Sequence, residues 1–172
     1  MDVRYPIGSF QYDGEMDMEV VNKWVKEIEE LPRMLQDAVK DLDDEQLDTP
    51  YRLDGWTIRQ VIHHLADSHM NAYIRLKLAL TEESPVVKTY DETKWAELND
   101  YQFSVEGSLL LLKGLHKRWA ELLRTLSQSE MEKTFIHPDL GEVLTYQNIG
   151  MYAWHGKHHL AHITSLLEQK GW

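Results

Sequence analysis

The chain contains no cysteine, and this absence excludes several kinds of site. Disulfide bonds, iron–sulfur clusters, thiolate metal sites and a cysteine nucleophile are all ruled out. A bound metal ion would have to be held by imidazole and carboxylate groups. A reactive thiol, where the chemistry needs one, would have to come from a cosubstrate.

Long hydrophobic runs are also missing. The longest aliphatic run covers residues 109–112, which is far too short to span a bilayer. Residues 1–30 are polar and acidic, unlike a secretory signal peptide. We therefore expect a cytoplasmic protein that does not associate with membranes.

Basic residues are too few to balance the acidic ones. Lysine and arginine number 18 against 29 aspartates and glutamates, which gives a formal net charge of −11. Such a surface repels phosphate backbones, so the charge argues against a nucleic-acid partner. The acidic residues are spread over helix faces and do not form one tail, and we interpret them as solubilising.

The chain does have enough apolar sequence for one core. It has 172 residues, of which 42% are hydrophobic, and no repeat, low-complexity tract or evident linker divides it. This composition predicts a single domain over residues 1–172. Four long segments have helical hydrophobic periodicity, and their connections vary in length. The predicted fold is therefore all-α, an up-and-down four-helix bundle with irregular connections.

The first three long helices are predicted from periodicity and capping signals. The first covers about residues 18–42. The second begins at a capping box formed by Thr57 and Gln60 and continues to about Leu80. The third covers about residues 104–126, where leucines and a tryptophan form a wide apolar face.

The fourth helix is predicted to begin with Thr145 as its cap and to end near Lys170. Two shorter elements are expected in the connections. Residues 91–98 are predicted to form a short helix, and residues 135–144 a small hairpin or an irregular loop.

Histidine is concentrated in two of these helices. Four of the nine histidines lie close together in the last helix: His155, His158, His159 and His162. The second helix carries three more: His63, His64 and His69. Residues four apart lie on one helix face, with Cβ atoms roughly 5–6 Å apart, and this spacing allows two imidazoles to bind one metal ion. Two histidines from one helix and one from the other would leave a zinc-type ion an open coordination position.

Periodicity alone leaves the ligand register on the last helix open. His155 pairs with His159, whereas His158 pairs with His162, and each pair has the required spacing. On the second helix His64 shares a stripe with apolar residues, so we expect it to point toward the core. His69 could also point inward, whereas His63 is expected to be more peripheral. The second helix is therefore predicted to supply the third ligand.

Two sequence motifs resemble those of the DinB superfamily. Within residues 55–67, Trp56 is followed eight residues later by His64, as in the first motif of that superfamily. Residues 154–163 resemble its last-helix motif, in which a histidine is followed by three residues and a second histidine, then by two residues and usually a glutamine.

This resemblance implies a ligand set. The implied metal ligands are His64, His155 and His159. His162 stands where many members carry glutamine, so we interpret it as a neighbour of the ligands or as a structural residue.

Further segments resemble the YfiT subgroup of this superfamily, which is described as metal-dependent hydrolases. These segments are residues 5–8, 47–52 and 63–75, so the likeness extends over nearly the whole chain. The resemblance implies a four-helix bundle, one divalent ion per chain, zinc first and nickel second, and a homodimer.

A three-imidazole site would support hydrolysis. An ion held by neutral ligands keeps its full charge, polarises a carbonyl and lowers the pKa of a water molecule from 15.7 to about 7. Asp67, His158 and His162 are candidates for a base that takes the water proton, but the sequence does not assign a catalytic residue. The metalloprotease pattern HExxH and the GxSxG elbow are both absent.

Two other functions stay open. Some DinB-like proteins resemble transferases of low-molecular-weight thiols of the bacillithiol type, and the lack of cysteine fits a thiol brought by a cosubstrate. The protein could also be a non-catalytic metal-binding stress protein, in which case a fourth protein ligand is expected. Under both enzymatic hypotheses, hydrolysis and thiol transfer, the substrate is a small molecule.

Several other side chains could line a substrate pocket or simply pack in the core. The aromatic candidates are Tyr51, Trp56, Trp95, Tyr152 and Trp154. Arg59 and Arg75 could bind an acidic substrate group, although solvated surface positions are the usual place for arginine.

Overall fold

The computed structural model describes residues 2–172. Its elements in chain order are α1 (Met18–Val39), α2 (Asp44–Leu47), α3 (Ile58–Thr81), α4 (Glu92–Ala96), a 3-10 helix (Asn99–Gln102), α5 (Glu106–Leu123), α6 (Gln128–Met131), the strands β1 (Thr134–His137) and β2 (Gly141–Leu144), and α7 (Thr145–Lys170). The strands form an antiparallel hairpin in which Phe135 is paired with Val143.

The four long helices form the predicted four-helix bundle. α1 packs against α5 and α7, and α3 packs against the same two helices, so α1 and α3 lie on one diagonal. The apolar core is divided into two clusters at successive levels along the bundle. α1 and α7 run from the first cluster to the second, whereas α3 and α5 run in the opposite direction.

The chain therefore runs up, down, down and up rather than in strict alternation. α3 and α5 are parallel, so residues 82–105 must return along the length of the bundle between them. This long connection contains α4 and the 3-10 helix. Hydrophobic periodicity describes which face of a helix is buried and carries no information on its direction.

The helix starts confirm one capping prediction and correct another. Thr57 and Gln60 form the predicted capping box at the start of α3. Thr145 is not the cap of α7, because the cap position is Leu144, which makes no side-chain hydrogen bond. The Thr145 hydroxyl instead donates to the main-chain carbonyl of Lys133 at 2.8 Å. Thr145 is buried on the first turn of α7, and its hydroxyl therefore bonds to the segment between α6 and β1, which contains Lys133.

Two glycines allow α7 to approach its neighbours closely. A Cβ added at Gly156 would lie 2.4 Å from Cδ2 of Leu31 on α1, and one added at Gly150 would lie 2.8 Å from Cζ of Phe10. Gly156 directly follows His155 in the histidine-rich motif. The close contact between α7 and α1 thus sets the position of that histidine in the bundle.

A layer of histidines separates the two apolar clusters. Five histidines on α3, α5 and α7 lie between residues of the first cluster and residues of the second: His69, His116, His155, His158 and His159. His63, His64 and His162 lie among residues of the second cluster, next to this layer. No helix within residues 2–172 is both long and apolar enough to cross a membrane.

Candidate metal centre

Three histidines from two helices come together between α3 and α7. His64 lies on α3, and His155 and His159 lie one turn apart on α7. Each offers a nitrogen, and these nitrogens all lie within 4.8 Å of one another. His64 and His159 are buried, whereas His155 is partly exposed. The structure therefore brings together the three residues that the resemblance implies as ligands.

These imidazoles fit a divalent metal ion. Burial lowers the pKa of His64 to about 4 and, with the charge of neighbouring histidines, holds the pKa values of His155 and His159 well below the ordinary range. All three rings are neutral at pH 7, the form that binds metals. The Nε2 atoms of His64 and His155 are 3.3 Å apart. Two nitrogen ligands of tetrahedral zinc are separated by about 3.3 Å, since zinc–nitrogen bonds measure about 2.0–2.1 Å.

A chain of hydrogen bonds behind His155 determines which of its nitrogens carries a proton. Nδ1 of His116 donates to the main-chain carbonyl of Ile28, because a carbonyl oxygen only accepts. Burial lowers the pKa of His116 to about 4, so the ring is neutral and its Nε2 accepts. The proton of the 3.0 Å bond to His69 therefore belongs to Nδ1 of His69. Burial also lowers the pKa of His69, whose Nε2 accepts from Nδ1 of His155 at 3.1 Å.

The consequence is an unprotonated Nε2 on His155, facing His64. The chain of hydrogen bonds joins all four long helices, from His155 on α7 through His69 on α3 and His116 on α5 to Ile28 on α1. A hydrogen-bond acceptor behind a metal-binding histidine fixes its tautomer and orients its ring. His69 and His116 are thus placed to position His155.

His159 has a similar partner. Nε2 of His162 donates to the main-chain carbonyl of Arg4 at 3.2 Å. Burial lowers the pKa of His162, so its ring is neutral and Nδ1 accepts. Nδ1 of His159 lies 3.4 Å away and supplies the proton, which leaves Nε2 of His159 unprotonated. This contact agrees with the interpretation of His162 as a neighbour of the ligands.

The alternative register also forms a group of donors. His158, His159 and His162 have nitrogens within 4.8 Å of one another. In this group the Nδ1 atoms of His159 and His162 already share a hydrogen bond, and His158 stacks on Trp154. An ion in either group would replace one hydrogen bond, since the Nε2 atoms of His64 and His155 also share one at 3.3 Å. In the first group, however, the Nδ1 atoms of His155 and His159 are held by His69 and His162, which leaves both Nε2 atoms unprotonated for the ion. The geometry favours the first group.

Two residues near the centre differ from what the sequence indicated. His116 was not among the candidates, because it is the only histidine on its helix and has no partner one turn away. The sequence feature that could have identified it as a buried histidine is its position between Leu112 and Trp119 on the apolar face of α5. Asp67, a candidate base, accepts a hydrogen bond from the Tyr101 hydroxyl at 2.7 Å and belongs to neither donor group.

Two cavities reach the candidate ligands. One, with a volume of about 480 Å³, has His155 and Tyr152 in its wall. The other, of the same volume, has His159, Tyr51 and Trp56 in its wall. Three of the predicted aromatic residues therefore line space beside the site. The other two pack elsewhere, since the Trp95 ring contacts Tyr90 and the Trp154 ring contacts His158.

Replacing His69 by phenylalanine should weaken metal binding by about 10–100-fold, the range typical of residues that orient a ligand. Phenylalanine fills the same space but cannot accept the proton of His155 Nδ1. Competition with a chelator measures the affinity, and the ¹⁵N shifts of His155 report its tautomer. His63→Phe is the matched control, because His63 is buried on the same helix but bonds to Ser108. Equal losses in the two variants, or none in His69→Phe, would contradict this role.

Comparisons with known proteins agree with the fold and with a metal-dependent function. The sequence model of the DinB superfamily matches residues 27–163. A protein of Oceanobacillus iheyensis named "Putative metal-dependent hydrolase" is 63% identical over 172 residues, which is 100% of each chain. A protein of Bacillus mycoides with a name of the same kind is 57% identical over 171 residues, which is 99% of each chain.

Two solved structures are similar to this one. YfiT from Bacillus subtilis, described as "a probable metal-dependent hydrolase with an unusual four-helix bundle topology", has a TM-score of 0.97 at 48% identity, over 100% of this chain and 99% of that one. TT2238, described as a four-helix bundle protein, has a TM-score of 0.61 at 21% identity, over 84% of this chain and 98% of that one. The second likeness supports the fold alone.

Proposed function

This chain belongs to the DinB superfamily, and from that premise we propose that it is a metal-dependent hydrolase of a small molecule. The proposed ligands of its one divalent ion are His64, His155 and His159. Zinc is the first candidate and nickel the second, because imidazole suits both metals and availability selects between them. The observation that carries the proposal is the convergence of three neutral imidazoles beside open cavities.

The number of protein donors supports a reactive site. Within residues 2–172, each group of donors close enough to share an ion has three members, and neither group extends to four. Structural zinc sites have four protein ligands, whereas catalytic sites have three and keep one position open. This count favours an enzyme over the non-catalytic alternative.

The chain's own residues prepare the site for hydrolysis. When bound, the ion supplies Lewis acidity, which polarises a carbonyl and brings the pKa of a water molecule close to 7. His69 and His162 hold the two ligand rings of α7 by hydrogen bonds to their Nδ1 atoms. The two cavities give a substrate access at His155 and at His159. The homodimer implied by the resemblance stays a prediction.

Activity should depend on the metal and should rise with pH near neutrality, as the activated water ionises. Metal-loaded protein, metal-free protein and His159→Ala should be compared on panels of esters and amides, with metal content measured in each sample. We expect turnover by the loaded protein only.

A parallel panel should pair low-molecular-weight thiols with electrophilic acceptors. Activity in that panel alone would indicate that the reaction is thiol transfer and not hydrolysis. Inactivity in both panels, together with four protein ligands found by X-ray absorption, would contradict an enzymatic role and favour metal binding as the function.

A further inference from the structure

The cavity that reaches His155 also contains a buried arginine. Arg75 on α3 lines this cavity and is only 9% exposed. One of its terminal nitrogens donates to the main-chain carbonyl of Lys88 at 3.1 Å. Its Nε is buried and has no hydrogen-bond partner within residues 2–172. The guanidinium is therefore only partly satisfied by the protein.

Arg75 also lacks a charge partner in the part of the chain that the structure describes. Arg59, which is similarly buried on the same helix, forms ion pairs with Asp44 and Asp48. None of the ion pairs formed within the described part of the chain involves Arg75. A buried charge without a partner is costly, so its retention in a cavity wall points to a ligand that supplies the opposite charge.

Glu92 does not fill that role. Among residues 2–172 it is the one carboxylate in the wall of this cavity, and the residue is exposed. Although the residue as a whole is exposed, desolvation of its carboxyl group raises the pKa of Glu92, and the nearby charge of Arg75 lowers that pKa by less. A carboxylate in a close ion pair shows the reverse balance.

The rest of the wall indicates what kind of molecule fits. Much of it is apolar, and these residues are Phe10, Phe135, Leu140, Val143 and Met151. His155 lines the same cavity, so one molecule of moderate size can contact both the arginine and the candidate metal centre. Arginine matches the planar oxygens of a carboxylate or a phosphate with paired hydrogen bonds.

We propose that this cavity is the substrate site, and that Arg75 binds a carboxylate or phosphate at the end of a substrate with an apolar body. The ester or amide bond to be cleaved would lie at the other end, beside His155. This inference rests on the proposed function, because it assigns the substrate class of the same centre.

Calorimetric titration with three probes tests the proposal: 3-phenylpropanoate, 2-phenylethyl phosphate and the neutral 3-phenylpropanamide. One of the two anions should bind the metal-loaded protein about ten-fold more tightly than the amide, and the tighter one identifies the oxyanion. The preference should persist in metal-free protein and disappear in Arg75→Gln. Arg33→Gln is the control for net charge, because the Arg33 side chain is 71% exposed, and it should keep the preference.

Several results would overturn the proposal. The first is equal binding of all three probes, and the second is an anion-over-amide preference that is unchanged in Arg75→Gln. The third is a preference seen only in metal-loaded protein, which would show that the anion binds to the metal ion. If Arg75→Gln does not fold, the Nε resonance of Arg75 in the unaltered protein should shift with the anion and not with the amide. Metal uptake is measured separately. If the protein binds the anion but no metal, the result contradicts the proposed hydrolase activity and leaves the anion site at Arg75 supported.

Discussion

Alanine in place of His64, His155 or His159 should remove most of the metal affinity in each case. Each substitution takes away one of three nitrogens that lie within 4.8 Å of one another, and the remaining two cannot complete a site. The loss should exceed the 10–100-fold expected for the neighbours His69 and His162. Metal content after gentle purification and titration against a competing chelator measure the effect.

The same measurement separates the two registers on α7. His158→Ala is the sharpest control, because His158 belongs only to the second donor group and stacks on Trp154. It should keep nearly full affinity. If His158→Ala and His162→Ala abolish binding while His155→Ala does not, the ligand register is wrong by three residues.

Acidification should destabilise the metal-free protein strongly below about pH 6.5. The pKa of every one of the nine histidines lies below its ordinary value, and burial is the largest cause in each case. Buried neutral histidines become protonated on unfolding when the pH is low, which favours the unfolded state.

The size of the effect follows from two histidines that do not contact each other. His64 and His116 have a pKa of about 4 in the folded protein, against the ordinary 6.5 in the unfolded chain. The unfolded chain binds more protons between these values, so stability is complete above pH 6.5 and falls as the pH drops toward 4. At pH 5 each residue lowers the free energy of unfolding by about 2 kcal/mol, a large part of the 5–15 kcal/mol typical of a domain.

Urea unfolding at pH 7.5, 6.0 and 5.0, with metal removed by a chelator, measures this loss. His116→Gln should reduce the difference between pH 7.5 and pH 5 by about 2 kcal/mol, since one buried titrating ring is gone. His137→Gln is the comparison, because His137 lies in the hairpin outside the histidine layer and should change the difference less. A pH-independent midpoint would contradict the neutral, buried state of these rings.

Much of the secondary structure follows from the sequence, because it depends on local chemistry. Helical periodicity predicted the four long helices, and the capping box of Thr57 and Gln60 is present at the start of α3. The cap predicted at Thr145 was wrong, because Thr145 is already the first residue of α7, where its N–H and its hydroxyl both donate to the carbonyl of Lys133. Local signals are reliable where no distant group competes for the same atoms.

The helix arrangement was decided by packing at longer range. An amphipathic pattern shows which face is buried but not whether the next helix is parallel or antiparallel. The parallel course of α3 and α5 depends on residues 82–105 returning along the bundle. The close approach of α7 to α1 depends on Gly156 meeting Leu31, a contact between residues far apart in the chain.

For the candidate metal centre too, some features follow from local sequence and others depend on tertiary packing. Spacing and resemblance were enough to name His64, His155 and His159 as candidate ligands, because both motifs are local: two histidines lie one helix turn apart, and the third follows Trp56 by eight residues. Tautomers and charge environments depend on which groups meet across the bundle. Only the folded chain brings His116 beside His69. It also leaves Arg75 buried without a counter-ion among residues 2–172, since burial and pairing are properties of the assembled interior and not of any one segment.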